Sequence, residues 1–283
     1  MEKTDHPPEP RIPPMQWYDR LNALNVSFLV FILAVVFSAK SLRVADPARQ
    51  INYLENLLRF TGRFFPPDWS VTPQVLLSLV ETVQIAVMAS AFSILISIPL
   101  GVAGAQNLSP RFLVFLTRNL LNLIRTIPGL VWALLAVAVV GANSLAGVIG
   151  LTFYSIGYLG KFFSDSFEGV DISVARGLRA IGASRFQAFQ YGVWPNAKPI
   201  VWSYGLWMLE YNIRSASIIG YVGAGGVGVL LHTYQEFSNW DKFATVLIYI
   251  LLIVTVLDFI GEKVRRQITV HTQSATQKVA VTE

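Results

Sequence analysis

The sequence predicts an all-α integral membrane protein of about six transmembrane helices, an N-terminal helix ahead of a five-helix core. Composition is the first reason. Of 283 residues, 53% are hydrophobic and 14% charged, against roughly 25% charged in an average soluble domain. The mean hydropathy is positive. The second reason is clustering: the apolar residues fall in blocks close to the roughly 20 residues a spanning helix needs.

Composition also excludes several functions. The chain has no cysteine, hence no disulfide framework and no Cys-ligated metal. His6, His232 and His271 lie far apart, so no His-rich metal site is expected. A net charge of +5 fits basic loops at a membrane better than nucleic-acid binding. The proline-rich start carries Glu2, Asp5, Glu9 and Asp19, unlike a cleavable signal peptide, and residues 1–24 are expected to form a cytoplasmic tail.

The first span is expected at 25–42, with Trp17 and Tyr18 as interface anchors. In the connection 43–72, Ile51, Leu54, Leu57 and Leu58 recur at helical spacing, the pattern of an amphipathic helix lying on the membrane. Pro66, Pro67 and Pro73 end it. A second span covers 75–103. The third, 112–140, contains Arg125-Thr126-Ile127-Pro128-Gly129 and is expected to break there, because proline removes a helix donor. A fourth covers 145–163, followed by a polar stretch at 164–198, a fifth span at 199–219, a polar loop to Lys242, and a sixth span at 243–260. Residues 25–73 thus form a first helix with its interfacial segment, 74–262 the core, and 263–283 a tail.

Lysine and arginine set the orientation. The 164–198 loop holds Arg176, Arg179, Arg185 and Lys198, and the tail holds Lys263, Arg265 and Arg266, whereas 220–241 has neither residue type. The loop and both termini are therefore placed in the cytoplasm. Arg43, Arg49, Arg59 and Arg63 run against this scheme, and a surface-lying helix accommodates them.

One stretch invites a different reading. Gly223, Gly225 and Gly228 satisfy G-x-G-x-x-G, a pattern found in loops that cradle a dinucleotide. That fingerprint needs a preceding strand within a βαβ unit. Here the glycines follow a membrane span, so Gly223, Gly225, Gly226 and Gly228 are read as a tight or re-entrant segment at the outer mouth, a candidate gate.

The 164–198 loop reads "VARGLRAIGASRFQAFQYGVWPNAKP". Gly182 is followed by nine residues and then by Gly192-Val193-Trp194-Pro195. This resembles the cytoplasmic coupling loop of permease subunits of bacterial ATP-binding-cassette importers, whose pattern is Glu-Ala-Ala, three residues, Gly, nine residues and Ile-x-Leu-Pro. Arg176-Gly177-Leu178 replace Glu-Ala-Ala, and Gly192 replaces Ile. The stretches "SLVETVQIAVMASAFSILISIPLGVAGAQN" and "NLIRTIPGLVWALL" resemble the same permeases, and "YNIRSASIIGYVGAGGVGVLL" resembles their phosphonate and phosphite subgroup.

The resemblance implies a transport subunit with no catalytic residues and no metal. It would work with a second copy of itself, two copies of an ATPase that carry the ATP and Mg, an extracytoplasmic binding protein, and membrane lipid. No cofactor is expected on this chain, which lacks a G-x-x-x-x-G-K-[ST] loop. Residues 178–188 are expected to form one short helix docked on the ATPase, with Arg179, Ala180, Gly182, Ala183, Ser184, Arg185 and Pro195 as coupling residues. Charges inside apolar blocks are costly and usually paired or wet. Arg125, Glu210 and Arg214 are therefore candidate pathway residues, with Glu210 and Arg214 one turn apart and able to pair. Glu81 reads as a packing residue, Asp258 as a local partner of Lys263 or Arg265, and Gly101, Gly104, Gly147 and Gly150 as helix contacts. The expected cargo is a phosphonate- or phosphite-like oxyanion. Another small solute such as an amino acid, or an ion-coupled secondary transporter, are the alternatives. A membrane enzyme is disfavoured because no nucleophile, metal or acid–base set stands out.

Overall fold

The computed structural model describes residues 23–42, 44 and 52–280, with side chains from 25 to 267 within those limits. Trp17, Tyr18, His6, His271, Arg43, Arg49 and Ile51 lie outside the described residues or side chains. Eleven α-helices and no strand occur among the described residues. The chain divides into two compact units between Arg59 and Phe60.

The first unit contains α1 (Ala23–Ser41), whose apolar stretch runs over Asn25–Ser41. It also holds the start of α2 (Tyr53–Gly62), with Tyr53, Leu54, Leu57 and Leu58 exposed and a Glu55–Arg59 ion pair at 2.5 Å. The apolar and charged faces are separated, as expected for a helix lying on a membrane.

The second unit is built from α3 (Thr72–Gly104), α4 (Arg111–Thr126), α5 (Gly129–Val140), α6 (Ser144–Glu168), α7 (Ser173–Ala180), α8 (Arg185–Gly192), α9 (Trp194–Ile219), α10 (Val227–Glu236) and α11 (Trp240–Ala280). Three helices, α3, α6 and α11, are long and apolar enough to cross a membrane. The pairs α4/α5, bent by 87°, and α9/α10, bent by 42°, pass the same test together and bring the number to five. The α11 helix does not stop near 260 as expected but continues to Ala280.

Small residues let the backbones approach. On α6, a Cβ on Gly150 would lie 2.7 Å from the Ala133 Cα of α5, and one on Gly160 would lie 2.6 Å from the Leu121 side chain of α4. Gly101 of α3 sits against Phe163 in the same way. α6 thus lies between α3, α4, α5 and α9, with Phe163, Leu159 and Leu151 fully buried. Deeper in the bundle the contacts are polar. Asn212 of α9, wholly buried, donates to the Ser90 hydroxyl of α3 at 2.9 Å and accepts from the Ser155 hydroxyl of α6 at 3.0 Å. Such bonds add roughly 0.6–2 kcal/mol in a bilayer.

The break at Pro128 has an identifiable compensation. Proline has no N–H for the carbonyl four residues earlier, and the Trp132 indole N–H donates to that carbonyl, Ile124 O, at 3.2 Å. At the same end as α7 and α8, Arg118 bonds the Gly104 carbonyl at 2.9 Å and also pairs with Glu168, whose Oε1 accepts from Gln106 N at 2.6 Å. This ties the ends of α3, α4 and α6 together. At the opposite end, Phe60, Phe64, Trp240 and Phe243 form an aromatic cluster with edge contacts of 4.9–6.0 Å, the composition favoured at a membrane–water boundary.

Candidate functional site

The 169–193 segment is a helical hairpin rather than the single helix expected at 178–188. α7 ends at Ala180 because Gly182 turns the chain at φ +98°, a backbone conformation that glycine adopts without steric cost. Ser184 then starts α8 with a capping box: its hydroxyl accepts from Gln187 N at 3.2 Å, and the Gln187 side chain accepts from Ser184 N at 2.8 Å. The two arms touch where a Cβ on Gly192 would lie 2.7 Å from the Ala175 Cα, which explains a glycine in place of the family's isoleucine. At the start of α7, Ser173 N–H and its hydroxyl bond Asp171 and hold that carboxyl below its usual range, with Arg176 adding attraction.

Arg179, Ala180, Gly182, Ser184 and Arg185 are exposed at the hairpin tip, Ala183 is half-buried, and Pro195 opens α9. Nothing lies within 4 Å of a Cβ placed on Gly182, so the tip is open. The structure adds two residues that sequence reading missed. Ile181 and Phe186 are 82% and 71% exposed beside the glycine, an apolar tip with an arginine on either arm. Two large apolar residues flanking the glycine were the available signal.

The membrane charges pair differently from expectation. The nearly buried Glu210 carboxylate accepts from Arg265 of α11, and Arg214 reaches only the Glu210 backbone carbonyl, at 3.5 Å. Gly261 makes room for this carboxylate, since a Cβ there would collide with it. Arg214 instead lies 3.7 Å from Asp258, so Asp258 does not pair with Lys263 or Arg265. The i, i+4 neighbours were reachable, but two antiparallel helices offer nearer partners. These residues tie α9 to α11.

Arg125 is the exception. It makes no ion pair within 4.0 Å among the described residues. Its guanidinium lies 4.5 Å above the Tyr158 ring, a cation–π contact. It also sits at the C-terminal end of α4, where the helix dipole favours a cation. It stands about 21 Å along α4 from its start, at the 87° break between α4 and α5.

Arg125 closes an aromatic seam that the sequence reading did not single out. Tyr154, Tyr158 and Phe162 recur every fourth residue on α6, facing Tyr204, Trp207 and Tyr211 of α9. Tyr154 and Tyr211 stack at 5.4 Å and share a hydroxyl hydrogen bond of 2.7 Å. Beside them is a cavity of about 140 Å³ that also reaches Gly129, Leu130 and Ser215. Ring faces carry negative partial charge. Along such a wall the guanidinium, the hydroxyls and the Trp207 indole N–H are the groups that attract an anion.

The glycine-rich segment is buried against the bundle at residues 224–228. Gly223, Gly225 and Gly226 have φ of +88°, +80° and +73°, and Gly220 and Gly228 are in backbone contact, a Cβ on Gly228 falling 2.7 Å from the Gly220 Cα. The segment packs on Glu81 and Thr82 of α3 and on Ser144 and Gly147 of α6. Val227 N donates to Thr82 Oγ1 at 2.8 Å, and Ser144 donates to Glu81. Thr82 lies about 15 Å along α3 from its start. The expected polar loop is instead largely the helix α10. Nothing here is strand–turn–helix, so the dinucleotide reading fails on context.

Residues 97–270 match the family described as "Binding-protein-dependent transport system inner membrane component". The chain belongs to this family. It is 30% identical over 251 residues to the phosphite transport system permease protein PtxC of Stutzerimonas stutzeri, covering 88% of this chain and 90% of that one. It is 34% identical over 213 residues to the putative phosphite transport system permease protein HtxC of the same organism, covering 75% and 76%. Among solved structures it resembles the MetNI methionine ABC transporter in inward-facing conformations, with a TM-score of 0.63 at 19% identity, covering 71% of this chain and 99% of that chain. This last likeness concerns the fold alone. The chain is thus an inner-membrane transport subunit rather than an enzyme, and the family works with a separate ATPase and a substrate-binding protein.

Proposed function

We propose that this permease carries a phosphite- or phosphonate-like oxyanion into the cytoplasm by alternating access, as a homodimer with two copies of its ATPase. The observation that carries the reading is Arg125: a guanidinium within a bent candidate span, with no acidic partner among the described residues, set at a helix break beside hydroxyl-bearing aromatics. An uncompensated arginine costs roughly 2.5–3.5 kcal/mol on insertion scales. An anion path would give that cost a use, since arginine donors suit phosphorus oxyanions. The relatives at 30–34% identity named for phosphite support this cargo, whereas the relative named for glycine betaine, carnitine and choline is 20% identical. Holding must stay weak, because an anion bound tightly would not leave.

In this reading the α7–α8 hairpin and both termini face the cytoplasm, on the side rich in lysine and arginine. The hairpin tip enters a groove on the ATPase. The Gly223 to Gly228 segment acts as the gate, and this chain binds no cofactor. The test is uptake of phosphite by vesicles carrying the complete transporter. Arg125→Ala should lower uptake by roughly tenfold or more while the ATPase still co-purifies, and Arg125→Lys should recover part of it by keeping the charge. Wild-type uptake by Arg125→Ala at every phosphite concentration would make Arg125 structural and remove the path from α4.

A further inference from the structure

We propose that the cavity between the α7–α8 hairpin and the ends of α3 and α4 holds one anionic phospholipid. The cavity measures about 640 Å³, within the roughly 300–1,000 Å³ of small-molecule sites. Its wall is apolar, with Val102 of α3, Leu113 of α4 and Phe189 of α8. Three arginines also line it, Arg176 and Arg179 of α7 and Arg185 of α8. None of the three forms an ion pair within 4.0 Å among the described residues. Asp171, the acidic group electrostatically felt by Arg176, is already engaged by Ser173.

The position decides which ligand fits. The cavity lies where α3 ends and α4 begins, the level at which the chain leaves the apolar part of the bundle. A soluble anion would leave the apolar wall wet. A zwitterionic lipid would bring its own ammonium beside three arginines. A phospholipid with net negative charge brings the phosphate without that cation, so the phosphate can take bidentate bonds from arginine while its upper acyl carbons lie on Val102, Leu113 and Phe189. Leu113 also remains 39% exposed on α4, so a chain leaving the cavity stays in the bilayer. A lipid here would brace the hairpin against the bundle, making coupling sensitive to membrane composition.

Assignment to the inner leaflet rests on the orientation proposed above. The binding itself does not, and native mass spectrometry of the full-length detergent-solubilised protein measures it. Titrated with equal phosphatidylglycerol and phosphatidylcholine, the protein should retain one phosphatidylglycerol per chain in preference. Arg176→Gln with Arg179→Gln should weaken that retention by roughly tenfold or more. Val102→Trp, which keeps all three arginines but fills the cavity, should abolish it. Equal retention of the two lipids, or unchanged retention in both variants, would overturn the site. Displacement by inorganic phosphate as readily as by phosphatidylglycerol would overturn the lipid assignment in favour of a free-anion site. Lipid retained by a protein whose hairpin is labelled only from outside would leave the site standing and move it to the outer leaflet.

Discussion

Gly182 offers a test that separates two reasons for a glycine at the hairpin tip. A tight groove on the ATPase would exclude any side chain. A positive φ would exclude most side chains even with no groove. The structure gives φ +98° and open space for 4 Å around the position a Cβ would take. Within this chain, Gly182→Ala therefore costs only backbone strain, roughly 1–3 kcal/mol. At 1.4 kcal/mol per tenfold, that weakens docking by about 5- to 150-fold if the native tip is what docks. Asparagine tolerates positive φ better than alanine, so the backbone reason predicts the order Gly, Asn, Ala in coupling. The groove reason predicts Gly, Ala, Asn, by size. Gly182→Trp should uncouple ATP hydrolysis from transport under either. The assay is substrate-stimulated ATP hydrolysis of the reconstituted transporter, with ATPase co-purification as the docking readout. Wild-type coupling in Gly182→Ala would refute both reasons, and normal coupling in Gly182→Trp would remove the tip from the ATPase interface.

Other expectations follow from the same geometry. Glu210→Ala removes the nearly buried pair with Arg265 and should lower the unfolding temperature, whereas Arg214→Ala breaks a longer, more exposed pair at 3.7 Å and should lower it less; the reverse order in thermal unfolding would mean Asp258 holds the junction. Asn212→Ala removes two interhelical bonds and should cost roughly 1–3 kcal/mol, read as a lower unfolding temperature, and no change would show that Ser90 and Ser155 re-pair without it. The gate is best probed at Tyr221, which is 37% exposed, since Val227 is fully buried. Tyr221→Cys should react with a membrane-impermeant thiol reagent from outside at a rate that changes when ATP is trapped, and labelling only from the cytoplasmic side would invert the topology.

The sequence by itself determined the class and the sites of breakage. Low charge and blocked hydrophobicity require a lipid-embedded helical bundle, because unpaired backbone groups are not tolerated in hydrocarbon. Pro128 marked the break in the third span, because a missing N–H is a local property. The spacing from Gly182 to Pro195 marked a turn and a helix start, which depend on near neighbours, but not the hairpin of two helices that the segment forms. Only the tertiary structure decided the ion pairs. Glu210 looked committed to Arg214 along one helix, yet antiparallel packing of α9 on α11 brought Arg265 and Asp258 nearer. It also set where the glycine segment packs, which follows from Val227 meeting Thr82, 145 residues away in the chain. The aromatic seam under Arg125 shows the same division. Its α6 half is a visible stripe at Tyr154, Tyr158 and Phe162, but a stripe names a face and not what it faces, and Arg125 joins it only because Gly157 lets α4 approach α6 closely enough for the guanidinium to reach Tyr158.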